Sequence, residues 1–165
     1  MLAISKVLDR FDEVGPILVY ATHGLTPEQA QATPGPGAWS IAELVAHMLD
    51  TELVLSDRAK RLIAEENPVL QAFDENAWIR RLDSKSMPVE EAVNLFVANH
   101  RWMSRLLRKC KEEDFARSGQ HSEGSRLTLA EVVAKMVGHV DHHLRFLYAK
   151  RANLGIAQLP RYSTD

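Results

Sequence analysis

The sequence predicts an all-α protein, an antiparallel four-helix bundle with one long crossover. Three observations carry that expectation. Four long stretches place apolar residues at helical spacing. Two Ser/Thr-x-x-Glu boxes mark helix starts. No stretch alternates with a period of two between turn signals, so no strand is expected.

The first helix is expected from about Leu2 to His23, where Ile4, Val7, Leu8, Phe11, Val14, Leu18 and Val19 recur at helical spacing. Gly15-Pro16 predicts a kink or break within it, and His23-Gly24 its end. Leu25-Thr26-Pro27-Glu28 can start one short turn, and Thr33-Pro34-Gly35-Pro36-Gly37 must be a loop. Ser40-Ile41-Ala42-Glu43 then opens a second long helix, whose stripe is Ile41, Leu44, Val45, Met48, Leu55, Leu62 and Ile63. That helix should end near Asn67-Pro68, because the residue before a proline is pushed out of the helical region. Residues Val69 to Ser86 read as the crossover, with Phe73, Trp78, Ile79 and Leu82 in a short helix. Pro88 suits the first turn of a third helix, which Val89, Ala92, Val93, Phe96, Val97, Trp102, Met103, Leu106 and Leu107 carry to about Cys110. Ser118 to Ser125 reads as a loop. The fourth helix begins at a second box, Thr128-Leu129-Ala130-Glu131, and presents Leu129, Val132, Val133, Met136, Val140, Leu144 and Leu147. Asn153 and Gly155 close it.

The length of 165 residues fits one domain, residues 1–157, followed by a loosely ordered tail at 158–165. Its hydrophobic share of 45% and charged share of 25% are those of an ordinary soluble globular chain. A net charge of -2 argues against a nucleic-acid binder, which ordinarily carries a basic excess. The basic clusters at Arg58–Arg61 and Arg105–Lys111 read as solvated helix faces. Cys110 is the only cysteine, so no intramolecular disulfide can form and a reducing compartment fits. Lys6, Asp9 and Arg10 interrupt the first apolar run, so no signal peptide is expected. No run approaches the ~20 apolar residues that span a bilayer. A cytoplasmic protein without membrane association is the expectation.

The segment Gly138-His139-Val140-Asp141-His142-His143 holds three of the seven histidines. His139 and His143 are four apart and stack on one helix face. At ~100° per residue, His143 falls inside the apolar stripe, His139 at its edge and His142 on the polar flank. On the second helix His47 lies at the margin of the buried face, where a side chain can point into an interhelical groove. A lone histidine at such a margin is ordinarily a core or boundary residue. An inward i, i+4 pair plus a third histidine on another helix instead makes a three-imidazole set suited to zinc, nickel or iron, with positions left open for water or substrate. Each ligand needs its second ring nitrogen satisfied, and Asp50 or Glu43 is the candidate partner for His47. Trp39 reads as a packing residue at the helix entrance. His23, His100 and His121 read as a helix end, a boundary residue and a loop residue, with His100 the one of these able to join the site. There is no His-Glu-x-x-His, no paired Glu-x-x-His, no glycine-rich phosphate loop and no Gly-x-Ser-x-Gly elbow.

Trp39-Ser40-Ile41, then His47 and Asp50, then His139-x-x-x-His143 on the last helix resemble the DinB/YfiT-like superfamily of metal-dependent proteins. The resemblance spans about Leu2 to Asn153, including Leu25–Glu28 and the Pro-Gly loop before Trp39. It implies an up-down-down-up bundle, a metal site of His47, His139 and His143, and frequent dimerisation. Members of known activity include transferases and isomerases that use low-molecular-weight thiols. Relatives often carry Gln-Ile three and four residues after the last histidine, where this chain has Phe146 and Leu147. Any polar role of that glutamine is therefore lost here.

The expected function is that of a cytoplasmic, homodimeric, metal-dependent enzyme acting on a small molecule. One divalent ion on His47, His139 and His143 would activate water or a small thiol, for hydrolysis or thiol S-transfer to a small electrophile. Asp50 is the candidate base or ligand-orienting residue. The alternative is a dimeric bundle that binds a metal or small ligand without turnover.

Overall fold

The computed structural model describes residues 4–163; Leu2, at the expected start of the first helix, lies outside them. Helix α1 (Ile4–Thr22) runs through Gly15 and Pro16 as one element, without the break those residues suggest. Burial of Phe11, Val14 and Leu18 on both sides of Pro16 holds the two halves to one surface and offsets the lost backbone hydrogen bond. A short helix α2 (Pro27–Gln31) follows, with Thr26 and Gln29 forming a capping box of their own. Helix α3 (Ile41–Ala64) starts at the predicted Ser40 cap and stops three residues before Asn67, which takes the left-handed conformation at φ 49°. Helix α4 (Glu75–Arg81) lies in the crossover, helix α5 (Val89–Leu107) follows Pro88, and helix α6 (Leu129–Asn153) follows the Thr128 cap.

The four long helices close around one core, in which α1 and α3 each pack against both α5 and α6. The predicted stripe of α6 is buried throughout, and Phe96, Met103 and Leu107 supply the share from α5. Trp102, expected among them, is instead 57% exposed.

Helix directions follow from what meets at each end. Short strands β1 (Val69–Leu70) and β2 (Ser118–His121), which leave α3 and α5 respectively, pair in parallel. Both helices therefore finish at the same end of the bundle, where α6 begins. At the opposite end the Arg151 guanidinium, near the C-terminus of α6, donates to the carbonyls of Ala21 (3.3 Å) and His23 (3.1 Å) at the end of α1. The bundle is thus up-down-down-up. Arg117 does the same for α3, donating to Leu62 (2.7 Å) and Glu65 (2.9 Å). In each case a cation satisfies carbonyls left unpaired at a helix C-terminus and complements its dipole.

The expectation of no strands needs correction. A third strand, β3 (Arg126–Thr128), pairs antiparallel with β2, placing Gly119 opposite Leu127, so part of the predicted Ser118–Ser125 loop is a sheet. Strands of two to four residues are too short for alternation to register in sequence. Gly119 is needed where it stands, because a Cβ there would lie 2.7 Å from the Pro68 carbonyl oxygen.

The segment read as a loose tail is tied down as far as it is described. Gln158 donates to the Tyr20 carbonyl (3.0 Å), and the backbone and hydroxyl of Ser163 each donate to buried Asp141 at 2.9 Å. Thr164 and Asp165 lie outside the described residues. No helix among the described residues is long and apolar enough to cross a membrane.

Candidate metal centre

Two capped helices aim the imidazoles. On α3, Ser40 Oγ accepts from Glu43 N (3.2 Å) while Glu43 Oε2 accepts from Ser40 N (2.7 Å), fixing the first turn. His47 follows less than two turns later and is 2% exposed, buried more deeply than its place at the stripe margin suggests. On α6 the Thr128–Glu131 box starts the helix in the same way, and His139 and His143 stand half-buried one turn apart. His47 Nε2 lies 3.1 Å from His139 Nε2 and 3.2 Å from His143 Nε2. One nitrogen from each ring falls within 4.8 Å of the other two.

This donor set suits a divalent ion. Nitrogens held ~2.1 Å from one ion stand about 3.0 Å apart at octahedral angles and about 3.4 Å apart at tetrahedral ones, and the spacings of 3.1 and 3.2 Å fall between these limits. Burial, reinforced by the neighbouring imidazoles, lowers His139 to about 3 and His143 to about 4. Burial lowers His47 as well, against an opposing pull from Glu75. All three rings are therefore neutral at pH 7, the form that offers a lone pair to a metal.

The other ring nitrogens depart from expectation. Nδ1 of His47 and of His143 are buried with no partner among the described residues. Neither residue expected to orient His47 does so. The Glu43 carboxylate is spent on the Ser40 backbone and hydroxyl. Asp50, one turn beyond His47, opens instead onto a cavity of about 430 Å³ lined by Ala46, Leu82, Met87 and Leu95, where burial raises its carboxyl above the usual range.

A different carboxylate reaches the imidazoles. Glu75, the first residue of α4, places Oε2 3.7 Å from His47 Nε2. No spacing in the sequence signals this approach, because α4 belongs to the crossover and its position depends on tertiary packing. Beside the triad a groove of about 440 Å³ is lined by Trp39, Asn76, His142, His143, Phe146 and Lys150, among others. The Trp39 ring stands 5.1 Å from that of His47, so this side chain both packs at the helix entrance and walls the groove. Lys150 donates to the Trp39 carbonyl and holds that wall to α6. Phe146, in the place of the relatives' glutamine, lines the groove with a ring, while Leu147 is wholly buried.

The remaining histidines lie elsewhere. His100 is buried between the rings of Phe11 (3.7 Å) and Phe96 (5.3 Å), donates from Nε2 to the Phe11 carbonyl (2.7 Å), and meets Glu52 Oε1 through Nδ1 at hydrogen-bond distance (3.0 Å). Asn99 extends this network to Glu52 and Ser56, so it joins α1, α3 and α5 within the core. His121 ends strand β2, and His23 follows α1.

An up-down-down-up bundle with imidazoles from two helices converging beside an open groove defines a recognisable class of helical protein. The chain belongs to the DinB superfamily, whose pattern matches residues 10–147. It is similar to two proteins of Oceanobacillus iheyensis provisionally named metal-dependent hydrolases. One is 26% identical over 143 residues, covering 87% of this chain and 83% of the relative. The other is 28% identical over 131 residues, covering 79% and 75%. Among solved structures it is similar to YfiT from Bacillus subtilis, reported as a probable metal-dependent hydrolase with an unusual four-helix bundle topology. That match has a TM-score of 0.84 at 26% identity and covers 92% of this chain and 87% of the other. The mycothiol-dependent maleylpyruvate isomerase shares the fold, with a TM-score of 0.64 at 14% identity over 95% of this chain and 63% of the other.

Proposed function

We propose that this protein is a metal-dependent enzyme acting on a small electrophile, with His47, His139 and His143 holding one zinc, nickel or iron ion. The observation that carries the proposal is the meeting of three neutral Nε2 atoms from two helices at 3.1 and 3.2 Å beside an open groove. A bound divalent ion supplies Lewis acidity and brings the pKa of a coordinated water down towards ~7; a coordinated thiol is deprotonated outright. The chain's own residues then do the rest. Two imidazoles one turn apart on α6 fix two donors rigidly, and His47 supplies the third from α3. Trp39 and Phe146 offer apolar surface to a substrate, while Asn76 and His142 offer polar contacts at the rim. Asp50, facing another cavity, is better suited to shaping α3 than to serving as the base.

The nucleophile is water or a low-molecular-weight thiol, giving hydrolysis or S-transfer. Hydrolysis agrees with how the Oceanobacillus and Bacillus relatives are named. The thiol route draws on the mycothiol dependence of the isomerase that shares the fold.

Metal analysis of purified protein tests the site. One equivalent of divalent ion in the native chain and less than a tenth in His47→Ala and His139→Ala is expected. Stoichiometric metal in both variants would sink the assignment. Turnover of activated esters and epoxides, with and without added thiols, separates the two routes. A loaded protein that binds such compounds and converts none is a binding bundle instead.

A further inference from the structure

We infer that Glu75 is the proton acceptor of this centre, held over the open side of the imidazole triad by the crossover helix. The inference rests on the metal-site reading above and adds a residue to it. Glu75 Oε2 is 3.7 Å from His47 Nε2, the same nitrogen that faces the other two imidazoles. The carboxylate therefore lies on the donor side of His47, whereas the ring's buried Nδ1 meets no partner among the described residues.

Two alternative roles fit less well. A fourth ligand would share the close spacing of the other donors, yet among the described residues the group whose donor atoms all lie within 4.8 Å of one another consists of the three histidines. A structural ion pair would be poorly served by a side chain that is 52% exposed and faces a neutral ring. A carboxylate beside the donors but outside their cluster is placed to accept a hydrogen bond from a nucleophile bound at the open position.

The mounting of α4 supports this role. Asp74 caps the helix, its side chain accepting from Ala77 N at 2.9 Å. Ile79 is buried, and Phe73 packs on Trp78 with ring centroids 4.9 Å apart. The next residue, Asn76, lines the groove beside His143, while Glu75 approaches His47, so α4 brings a polar side chain to each of the two helices that carry the imidazoles.

The step balances without any further reactant. A water or thiol held beside the three imidazoles would give its proton to Glu75 Oε2, and its freed electron pair would form the bond to the electrophilic carbon. The bond from that carbon to the leaving group breaks with its electron pair, and the proton on Glu75 passes to the leaving group. No oxidant or reductant takes part.

The test uses the cobalt-loaded full chain, comparing wild type with Glu75→Gln. Visible absorption reads azide binding at the open position, and turnover is measured on the same samples. Loss of a negative charge beside the open position should tighten azide binding about five-fold or more, while removal of the proton acceptor lowers kcat about 10²–10³-fold with little change in KM. Glu75→Asp should recover part of kcat. Cobalt should still bind one to one in Glu75→Gln, and its loss there would identify Glu75 as a ligand and overturn the inference. Unchanged azide affinity and kcat in Glu75→Gln would also overturn it, leaving the three-histidine reading intact. Failure of the wild type itself to take up cobalt would overturn both readings, so the two failures are distinct.

Discussion

At the scale of single residues, the triad combines ordinary side chains with an unusual environment. His139 and His143 stay neutral far below the usual histidine range because burial and adjoining imidazoles penalise their charged forms. The unfolded chain takes up these protons near the ordinary value of 6.5, whereas the folded metal-free chain resists until about 4 for His143 and about 3 for His139. The stabilisation is therefore complete above about pH 6.5 and is lost as pH falls through that window. Thermal melts of metal-free protein between pH 7 and pH 4.5 should show a steeper loss in wild type than in a His139→Asn, His143→Asn double variant. Parallel curves for the two proteins would refute the argument.

At the scale of elements, legibility in the sequence follows the range of the interaction. Ser40 and Glu43, or Thr128 and Glu131, lie three residues apart, and their boxes mark the starts of α3 and α6 from sequence alone. The i, i+4 relation of His139 and His143 is equally local, and α6 buries its predicted stripe. What stayed hidden depends on partners far along the chain. Strand β1 pairs with β2 about 50 residues away; Glu75 reaches His47 only because α4 packs back onto α3. Pro16 misled for a related reason, since burial of its neighbours outweighs a local penalty of ~3 kcal/mol. Gly119 tests the value of the small sheet. Gly119→Ala would drive a methyl against the Pro68 carbonyl oxygen and should cost about 1–3 kcal/mol, read as a lower midpoint in urea. An unshifted midpoint would mean that the sheet contributes little to the fold. The same variant should leave metal stoichiometry intact, because β1 and β2 lie beyond the far ends of α3 and α5 from the caps that aim His47.

At the scale of the whole molecule, His47 and His139 are 92 residues apart in the chain, so an ion held between them staples its early and late portions. Binding to the folded state alone contributes about 4 kcal/mol when free metal stands at a thousand times its dissociation constant. Stripping the ion with a chelator should therefore lower Tm by several degrees, and re-addition of metal should restore it. A Tm indifferent to chelation, in protein shown to have held one equivalent, would mean that the ion adds nothing to the fold. Residues 158–163 contribute separately, through Ser163 on Asp141 and Gln158 on Tyr20. Substituting Ser163 with alanine should therefore be felt in stability more than in metal content.

The parallel course of α3 and α5 has a topological consequence. Neighbours running the same way cannot be joined by a tight hairpin, so the chain must climb back along the bundle before α5 can begin. That return journey is how α4 comes to set Glu75 beside His47 and Asn76 in the groove next to His143. An up-down-up-down connection of the same four rods could keep the three rings and still leave them bare. The length of the connector is therefore a means of delivering two polar side chains to a site built from other parts of the chain.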